Sequence, residues 1–410
     1  MARSLGLAAY RALARRGTAP QDAPDAPRPE GELIWIHAGE VSNLLAVHNL
    51  AGRLVASRPE LHVLITLPET TDIGKTAVQP QEAHVIQIPL PREHPTAVNA
   101  FLDHWKPDAG IWVWGGLRPN LILEAQERGI SMMLIDAEST GFDKGRSRWL
   151  PDVTRRLLTV FSHVFARSAA GHKRLVQMGL SARHVRQTSP LLAGGRVLPY
   201  IDSDLTELAN ALGGRPTWLA THVLPQEITT VLNAHMRASR LSHRLLLILQ
   251  PASAEDAATA SAQASALGLS VASWAAGQYP DEITQVLVSD DISDCGLFFR
   301  VAPVSFLGST LLQSDGGCDP MDAAALGSAI LYGPKVRHFM QSYSRLAAAG
   351  AARIVNDADA LGAAVSSLIA PDHAAAMAHA GWDVISEGAE LTDRVTEIIH
   401  DTLDLKKGRT

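Results

Sequence analysis

Cysteine is scarce in this chain: Cys295 and Cys318 are the only two among 410 residues. They stand in separate segments and form no CxxC pair and no Cys/His cluster with metal-ligand spacing. The sequence therefore predicts neither a disulfide framework nor a zinc site. So few cysteines in a long chain are typical of a reducing compartment, and we expect a cytoplasmic protein.

An excess of positive charge is also missing. The net charge of −6 argues against nucleic acid as a partner. A hydrophobic content of 46% and a charged content of 19% are typical of a packed soluble protein. Because 410 residues exceed what one core comfortably holds, we expect two domains.

Several motifs of known chemistry are absent from the sequence: GxGxxG, the Walker sequence, GxSxG and HExxH. The histidines, such as His48, His222, His235 and His338, are scattered along the sequence. We therefore expect them to have solvated or capping roles and not to ligate a metal. Trp112 and Trp114 alternate on a predicted strand, which favours a place in the core or in a cleft wall over a stacking platform.

No apolar run near the start of the chain is long enough to span a bilayer, which takes about 20 residues. Residues 1–17, MARSLGLAAYRALARRG, combine leucines with four arginines. Two interpretations stay open: a basic amphipathic helix on anionic lipid, or a frayed or packed N-terminal helix. A signal peptide would need a stronger apolar centre and a cleavage site. Residues 18–31, TAPQDAPDAPRPEG, predict a stiff Pro-rich tether.

After the tether, short apolar segments alternate with helical ones. Strands are predicted at residues 33–37, 63–67, 85–88, 111–114, 132–135, 163–167 and 184–187. Helices are predicted at residues 43–55, 96–105, 120–128 and 169–178. This alternation predicts a doubly wound α/β domain.

The alternation restarts after a predicted crossover at residues 191–215. Further strands are predicted at residues 218–221, 245–249, 269–273, 285–288, 304–307, 330–332 and 354–355. Two successive Rossmann-like halves of similar length suggest an enzyme with its ligand between domains.

The stretch SDGGCDPMDAAALGSAILYGP, residues 314–334, predicts a turn, a helix and a buried strand. Gly316 and Gly317 permit the turn. Asp319 is a good N-cap, with Pro320 at the first helical position. Asp322 in the first turn either complements the positive end of the helix or accepts hydrogen bonds from a ligand held there.

The order and spacing of several segments resemble the 3-deoxy-D-manno-octulosonic acid (Kdo) transferases, a family of GT-B glycosyltransferases. These segments are IWIHAGEVSNLLAV, LRPNLILEAQERGI, LLLILQP and FLGSTLLQSDGGCDPMDAAALGSAILYGP. The resemblance covers nearly the whole chain from Glu32 onward and marks a divergent member. It implies a GT-B fold of two Rossmann-like domains facing a cleft. The acceptor-binding domain is then expected at residues 32–200, and the donor-binding domain with its C-terminal helices at residues 201–410.

The resemblance also implies an activity. The family transfers Kdo from CMP-Kdo to the lipid A precursor (lipid IVA) by an inverting mechanism, without a metal or other cofactor. Its members are anchored at the cytoplasmic face of the inner membrane by a basic N-terminal segment, which residues 1–17 match.

Matching of motifs implies a set of donor-binding residues. The family's Gly-Gly-His-Asn-Pro-Leu-Glu corresponds to residues 316–322, so Asp322 matches the acid that contacts the CMP ribose. The family's Pro-Arg and Met-Gly-Glu correspond to residues 251–252 and 292–294, where the arginine is lost and an acid is kept. Ordinary helix capping is the alternative. The residues expected to bind the donor nucleotide are Pro251, Ala252, Ile292, Ser293, Asp294, Asp319, Pro320, Met321 and Asp322.

The catalytic base is less directly matched. In the family's His-Ala/Ser-x-Ser-Val-Gly-Glu, the glutamate deprotonates the acceptor hydroxyl. His37 and Ala38 match, but Asn43 falls on the glutamate, and an amide cannot accept that proton. Glu40 lies three residues earlier, directly after the first strand, and could supply the base through a shortened loop. An acid at a helix start is the other interpretation of Glu40.

Other positions depart from the family. Its Glu-Thr-Glu-Leu-Trp-Pro-Asn corresponds to residues 114–120, where Trp114 and Gly116 replace both acids and Arg118 adds a positive charge. Glu138 reverses the charge of a family arginine, and Leu192 replaces a lysine. Two further hypotheses therefore stay open. One is a catalytically silent relative that binds donor or lipid and regulates a true transferase; the other is a different GT-B-type enzyme, such as a nucleotide-sugar epimerase.

Overall fold

The structure is a computed structural model that describes residues 10, 26–68, 83–140, 151–195, 198–312 and 317–408. Apart from Tyr10, the predicted amphipathic segment lies outside these residues, as does Gly316. The chain divides into two compact units. Unit 1 is Met1–Ala193 together with Glu387–Thr410, and unit 2 is Gly194–Ser386.

Unit 1 contains a sheet of seven parallel strands in the order β3-β2-β1-β4-β5-β6-β7. The strands are β1 Leu33–His37, β2 His62–Leu67, β3 Val85–Pro89, β4 Ala109–Val113, β5 Ser131–Ala137, β6 His163–Ala166 and β7 Val185–Gln187. The helices of the unit are α1 Leu44–Ser57, α2 Pro95–Trp105, α3 Pro119–Glu127, α4 Pro151–Leu158, α5 Ala169–Gln177 and, at the end of the chain, α14 Ala389–Lys407. The predicted doubly wound domain is confirmed.

Strand β1 shows why this sheet is buried on both faces. Leu33 and Trp35 point into one cluster, where Trp35 packs edge-on against Trp112 with ring centroids 5.9 Å apart. Ile34 and Ile36 point into the cluster on the other face. A parallel strand needs both faces covered, and the continuous apolar run of residues 33–36 satisfies that need. Trp112 and Trp114 both lie in the core.

Helix α14 belongs to unit 1, although the sequence suggested that the C-terminal helices stay with the second domain. Its apolar side chains Leu391, Val395, Ile398, Ile399 and Leu403 join the cluster that also contains Ile34 and Ile36. The helix therefore packs beside α1 on the same face of the first sheet. The boundary expected between residues 200 and 201 lies between residues 193 and 194 in the structure.

Unit 2 contains a second sheet of seven parallel strands in the order β10-β11-β9-β8-β12-β13-β14. The strands are β8 Thr217–Val223, β9 Leu246–Pro251, β10 Val271–Ser273, β11 Val286–Val288, β12 Val304–Leu307, β13 Ala329–Tyr332 and β14 Ala352–Ile354. The helices are α6 Asp202–Leu212, α7 Pro225–Ser239, α8 Ala257–Ala266, α9 Cys295–Val301, α10 Met321–Ala325, α11 Met340–Ala348, α12 Ala358–Leu368 and α13 Pro371–Glu387. Two Rossmann-like units in succession confirm the expected GT-B fold class.

Helix α6 lies within the segment predicted as a crossover. Asp202 and Asp204 in its first turn complement the positive helix end, and Gly213, with a φ of 53°, ends it. Across the described residues, every helix is too short or too polar to cross a membrane.

Candidate functional site

Strands β1 and β4 form the switch point of the first sheet, because the chain proceeds from β1 to one side and from β4 to the other. Ligands of open α/β sheets bind outside the carboxyl ends of such strands. The two loops there approach each other closely. A Cβ on Gly39 would lie 2.3 Å from the Trp114 carbonyl oxygen, and one on Gly115 would lie 2.7 Å from the Gly39 Cα. Glycine is required at both positions.

Glu40 directly follows this glycine contact, and its side chain is exposed. Its carbonyl oxygen accepts a hydrogen bond from the Asn43 N–H at 3.1 Å, which starts a short 3-10 helix at Val41–Asn43. The Glu40 carboxylate does not cap that helix; its Oε2 lies 3.5 Å from the Ser42 hydroxyl. Glu40 therefore stands at the switch point with its carboxylate toward solvent, while Asn43 leads into α1.

His37, the last residue of β1, is buried beneath this edge. Its Nδ1 lies 3.1 Å from the Thr66 carbonyl oxygen, which can only accept, so Nδ1 carries the proton. Burial, with a smaller contribution from the nearby Arg118 charge, lowers the pKa of His37 to about 3, against the opposing effect of the Thr66 hydrogen bond. The imidazole is neutral at physiological pH and serves to brace the edge of the sheet.

Glu93 is a charged residue of this edge that the sequence reasoning missed. It lies between β3 and α2, and its Oε1 accepts the backbone N–H of Asn120 at 2.5 Å, at the start of α3. The Tyr10 hydroxyl lies 3.4 Å from the same oxygen. Oε2 is buried and has no hydrogen-bond partner among the described residues. Burial raises the pKa of Glu93 to about 7, against the opposing effect of the Asn120 N–H and the Arg118 charge.

The reversed charge at Glu138 is satisfied inside unit 1. Its carboxylate accepts hydrogen bonds from the Ser139 N–H at 2.5 Å, the Ser168 hydroxyl at 2.9 Å and Arg167 Nε at 3.1 Å. These bonds, the Ser139 N–H first, hold its pKa at about 2. Glu138 is thus a structural partner of Arg167. Leu192, which replaces the family's lysine, packs its Cβ against Gly388.

Asp136, two residues earlier, is buried in a left-handed conformation with a φ of 59°. Its Oδ1 accepts the backbone N–H of Leu191 at 3.0 Å. The carboxylate therefore holds the chain where it leaves β7, just before the end of unit 1.

In unit 2, strands β8 and β12 form the corresponding switch point. His222 and Ser309, with φ of 55° and 57°, turn the chain sharply at these two strand ends. The loop after β12 is held by Glu227, a wholly buried residue of α7. One carboxylate oxygen accepts the Ser309 N–H at 2.7 Å, and the other accepts the N–H groups of Thr310 at 3.0 Å and Leu311 at 2.8 Å. The sequence reasoning did not single out Glu227.

The predicted helix after β12 is present, but its N-cap is Pro320 and not Asp319 as expected. Asp319 Oδ1 accepts the Met321 N–H at 3.1 Å, and α10 runs from Met321 to Ala325. Gly317, with a φ of 83°, makes the turn, and the Tyr343 hydroxyl donates to the Cys318 carbonyl oxygen at 3.0 Å. Asp322 is only 6% exposed. Burial, with a smaller contribution from the Asp322 charge, raises the pKa of the Cys295 thiol to about 12.

The other predicted donor residues lie on the opposite side of β8. Pro251 ends β9 and is buried, whereas Ala252 is exposed. Ile292 and Ser293 are exposed before α9. Asp294 Oδ2 accepts the Trp274 indole N–H at 2.9 Å, and burial raises the pKa of this carboxyl. All the predicted donor residues thus lie at the carboxyl edge of the second sheet, with Asp294 bound to a tryptophan.

The remaining polar clusters give no metal centre: in the part of the chain that the structure describes, no three His, Cys, Asp or Glu side chains are arranged to hold an ion. At the carboxyl edge of unit 2, Cys295 Sγ instead contacts Gln250 Oε1 at 2.8 Å and Thr221 Oγ1 at 3.2 Å.

Comparisons with known proteins extend over both units. A family model described as 3-deoxy-D-manno-octulosonic-acid transferase (kdotransferase) matches residues 11–191. A 3-deoxy-D-manno-octulosonic acid transferase of Bordetella pertussis is 27% identical over 92% of this chain and 89% of its own length. The enzyme of that name from Haemophilus influenzae is 23% identical over 92% of this chain and 88% of its own.

Among solved structures, the C-terminal CMP-Kdo binding domain of WaaA from Acinetobacter baumannii aligns with 45% of this chain and 98% of that chain. The identity is 18% and the TM-score is 0.42. MurG of Acinetobacter baumannii aligns with 90% of this chain and 100% of that chain, at 14% identity and a TM-score of 0.47.

Proposed function

Since the chain belongs to the Kdo transferase family, as a divergent member, we propose that it transfers Kdo from CMP-Kdo to the lipid A precursor (lipid IVA). This step is part of lipopolysaccharide core biosynthesis. The observation that carries the proposal is the similarity to curated Kdo transferases over 92% of the chain. Two Rossmann-like units, each with polar side chains at the carboxyl edge of its sheet, supply one surface for the acceptor and one for the donor.

The proposed chemistry needs a base, a nucleophile and a leaving group. The Glu40 carboxylate takes the proton of the acceptor hydroxyl, whose oxygen attacks the anomeric carbon of Kdo. The bond from that carbon to the phosphate breaks, and CMP leaves with the electron pair, so the configuration inverts. Glu40 suits this role because it is exposed at the switch point of the first sheet. No metal enters the proposed reaction.

The test of the base is Glu40→Gln, assayed with CMP-Kdo and tetraacylated lipid A precursor. The amide keeps the size of the side chain but cannot accept the proton, and loss of a general base costs roughly 10²–10⁴-fold in rate. Asn43→Ala is the matched control, and it keeps most of the activity. Transfer that survives Glu40→Gln would assign the base to another residue.

The test of the donor site is Asp322→Ala with CMP, measured by calorimetry. In the proposed role Asp322 accepts hydrogen bonds from the ribose, so its removal weakens binding by about 1–3 kcal/mol. Because Asp322 is buried, Asp322→Asn is measured beside it, and the exposed Asp383→Ala serves as the control. If the intact protein binds neither CMP nor CMP-Kdo, the proposed function is wrong.

The second candidate is a catalytically silent relative that binds donor or lipid and regulates a true transferase. The observation that favours it is the loss of both acids at Trp114 and Gly116, together with Glu138, whose charge is taken up by Arg167. The same assay decides between the two. Binding of CMP-Kdo without transfer supports the silent relative.

The proposed place of action is the cytoplasmic face of the inner membrane. Residues 1–17 would bind anionic lipid there as a peripheral anchor, since four arginines and several leucines suit that surface.

A further inference from the structure

The loops at the carboxyl edge of the second sheet differ sharply in charge. The loop after β11 contains Asp290 and Asp291. Burial is the largest cause of the raised pKa of Asp294, and the negative charges of Asp291, Asp204 and Asp290 raise it as well. A phosphate or carboxylate of a ligand would be repelled on this side. An anionic ligand that uses this edge must therefore turn its charge elsewhere.

Lysine and arginine occur in only one of the loops that follow the seven strands of unit 2. That loop, residues 333–338 after β13, has the sequence GPKVRH and is called the cationic loop below. The residues of the loop after β12 that the structure leaves undescribed, 313–316, are QSDG and carry no cation either. Lys335, Arg337 and His338 are exposed, whereas Val336 between them is buried.

The cationic loop is held against the predicted donor motif. The Thr310 hydroxyl accepts the Gly333 N–H at 2.7 Å, and the Thr310 carbonyl oxygen accepts the Lys335 N–H at 2.8 Å. A Cβ on Gly317 would lie 3.0 Å from Thr310 Cγ2 and 3.5 Å from the Lys335 carbonyl oxygen. The turn before Asp319 and the backbone of Lys335 are thus direct neighbours, and Thr310 joins them.

The cationic loop is also connected to the buried core of unit 2 through Thr310. Thr310 is itself held by Glu227, whose carboxylate accepts its N–H at 3.0 Å. On the other side of the loop, Arg337 Nη2 lies 3.3 Å from His338 Nε2. Two cations are therefore presented to solvent from a backbone that is fixed at its start and packed through Val336.

We propose that Lys335 and Arg337 bind the anionic part of a nucleotide-sugar donor at the carboxyl edge of unit 2. The inference rests on the proposed function, which supplies a donor with a phosphate and a sugar carboxylate. Arginine suits either group because its guanidinium pairs with two oxygens at once, and lysine adds a point charge. These cations take the place of the arginine that is missing at Ala252, on the other side of β8.

The test measures the affinities of CMP, CMP-Kdo and cytidine by calorimetry for the full-length protein. Lys335→Gln and Arg337→Gln each weaken the binding of the anionic ligand by roughly 3–10-fold, and the double variant by more than 10-fold. Cytidine, which has no anionic group, binds all variants equally. Arg240→Gln, an exposed residue after the C-terminus of α7 and thus near the amino edge of the sheet, is the matched control.

Comparing CMP with CMP-Kdo shows whether the cations bind the phosphate or the sugar carboxylate. Loss of affinity for both CMP and CMP-Kdo assigns the cations to the phosphate, and loss for CMP-Kdo alone assigns them to the sugar carboxylate. Equal affinities of the wild-type protein and the double variant for both ligands would overturn the inference while leaving the proposed function intact. A wild-type protein that binds neither ligand would overturn both.

Discussion

At the scale of single residues, two glutamates of unit 1 show opposite responses to their surroundings. Glu93 is partly buried, its Oε2 has no hydrogen-bond partner among the described residues, and its pKa rises to about 7. Glu138 accepts three hydrogen bonds, one of them from Arg167, and its pKa falls to about 2. Desolvation dominates in the first case and hydrogen bonding in the second.

Glu93 makes stability depend on pH near neutrality. Its ordinary pKa is 4.5 and its folded value about 7, so the native state binds the proton more tightly than the unfolded chain. Its contribution is fully present below about pH 4.5 and is lost as the pH rises through 7. In Glu93→Gln this loss is absent. Between pH 4 and pH 8, the free energy of unfolding of the wild type therefore falls relative to the variant by up to about 3 kcal/mol.

Glu138→Gln is the contrasting variant, measured by urea unfolding from about pH 2 to about pH 8 so that the acid side is covered. Its lowered pKa stabilises the fold above pH 4.5, and that contribution is lost as the pH falls toward 2. The variant therefore changes the free energy of unfolding at acidic pH and leaves its pH dependence near neutrality unchanged. Parallel profiles for Glu93→Gln and the wild type from pH 4 to pH 8 would contradict the assigned protonation of Glu93.

At the scale of elements, the loop after β12 is fixed by a side chain from a neighbouring helix. Glu227 of α7 binds three N–H groups of the loop after β12, and its Oε2 also accepts the Leu224 N–H at 3.1 Å at the start of its own helix. Helix and loop are thereby joined through one carboxylate, and Thr310 extends the connection to the cationic loop.

Glu227→Gln should destabilise unit 2 by about 2–4 kcal/mol. An amide has one acceptor oxygen, so its NH₂ group faces N–H groups that the carboxylate had accepted, and these are left buried without a partner. Chemical denaturation measures the change, with the exposed Glu282→Gln as the control. A loss below about 0.5 kcal/mol, the size expected of an ordinary surface change, would show that the loop does not depend on Glu227.

At the scale of the whole molecule, unit 1 is built from two separate segments of the chain, one before and one after unit 2. Helix α14 returns to unit 1 after the whole of unit 2, because its row of apolar side chains from Leu391 to Leu403 completes the first core. Tyr10 contacts the same unit: its hydroxyl lies 3.4 Å from Oε1 of Glu93. Both ends of the described chain thus belong to unit 1.

Deletion of residues 1–17 should move the protein from the membrane to the soluble fraction with its fold intact. The basic, leucine-bearing segment is attracted to anionic lipid, and added salt should weaken that attraction. Fractionation measures the shift, and thermal unfolding serves as the check on the fold. Unchanged sedimentation with membranes after the deletion would place the anchor elsewhere in the chain.

The sequence by itself determined the strand order along the chain and the two Rossmann-like halves. Each parallel strand must be apolar on both faces, as in β1, and that requirement leaves a local pattern. The helix at Met321 was predictable for the same reason, since Asp319 and the glycine turn act within a few residues, although Pro320 and not Asp319 is its N-cap.

Only the tertiary structure decided which distant residues meet. Three contacts join segments that are far apart in sequence. They are the pairing of Glu138 with Arg167, the hydrogen bond of Glu93 to the start of α3 and the packing of α14 on the first sheet. The hydrophobic periodicity of the sequence does not indicate such contacts. Burial and charge at these positions come from the way the units pack, and so the pKa values of Glu93 and Glu138 emerged only with the fold.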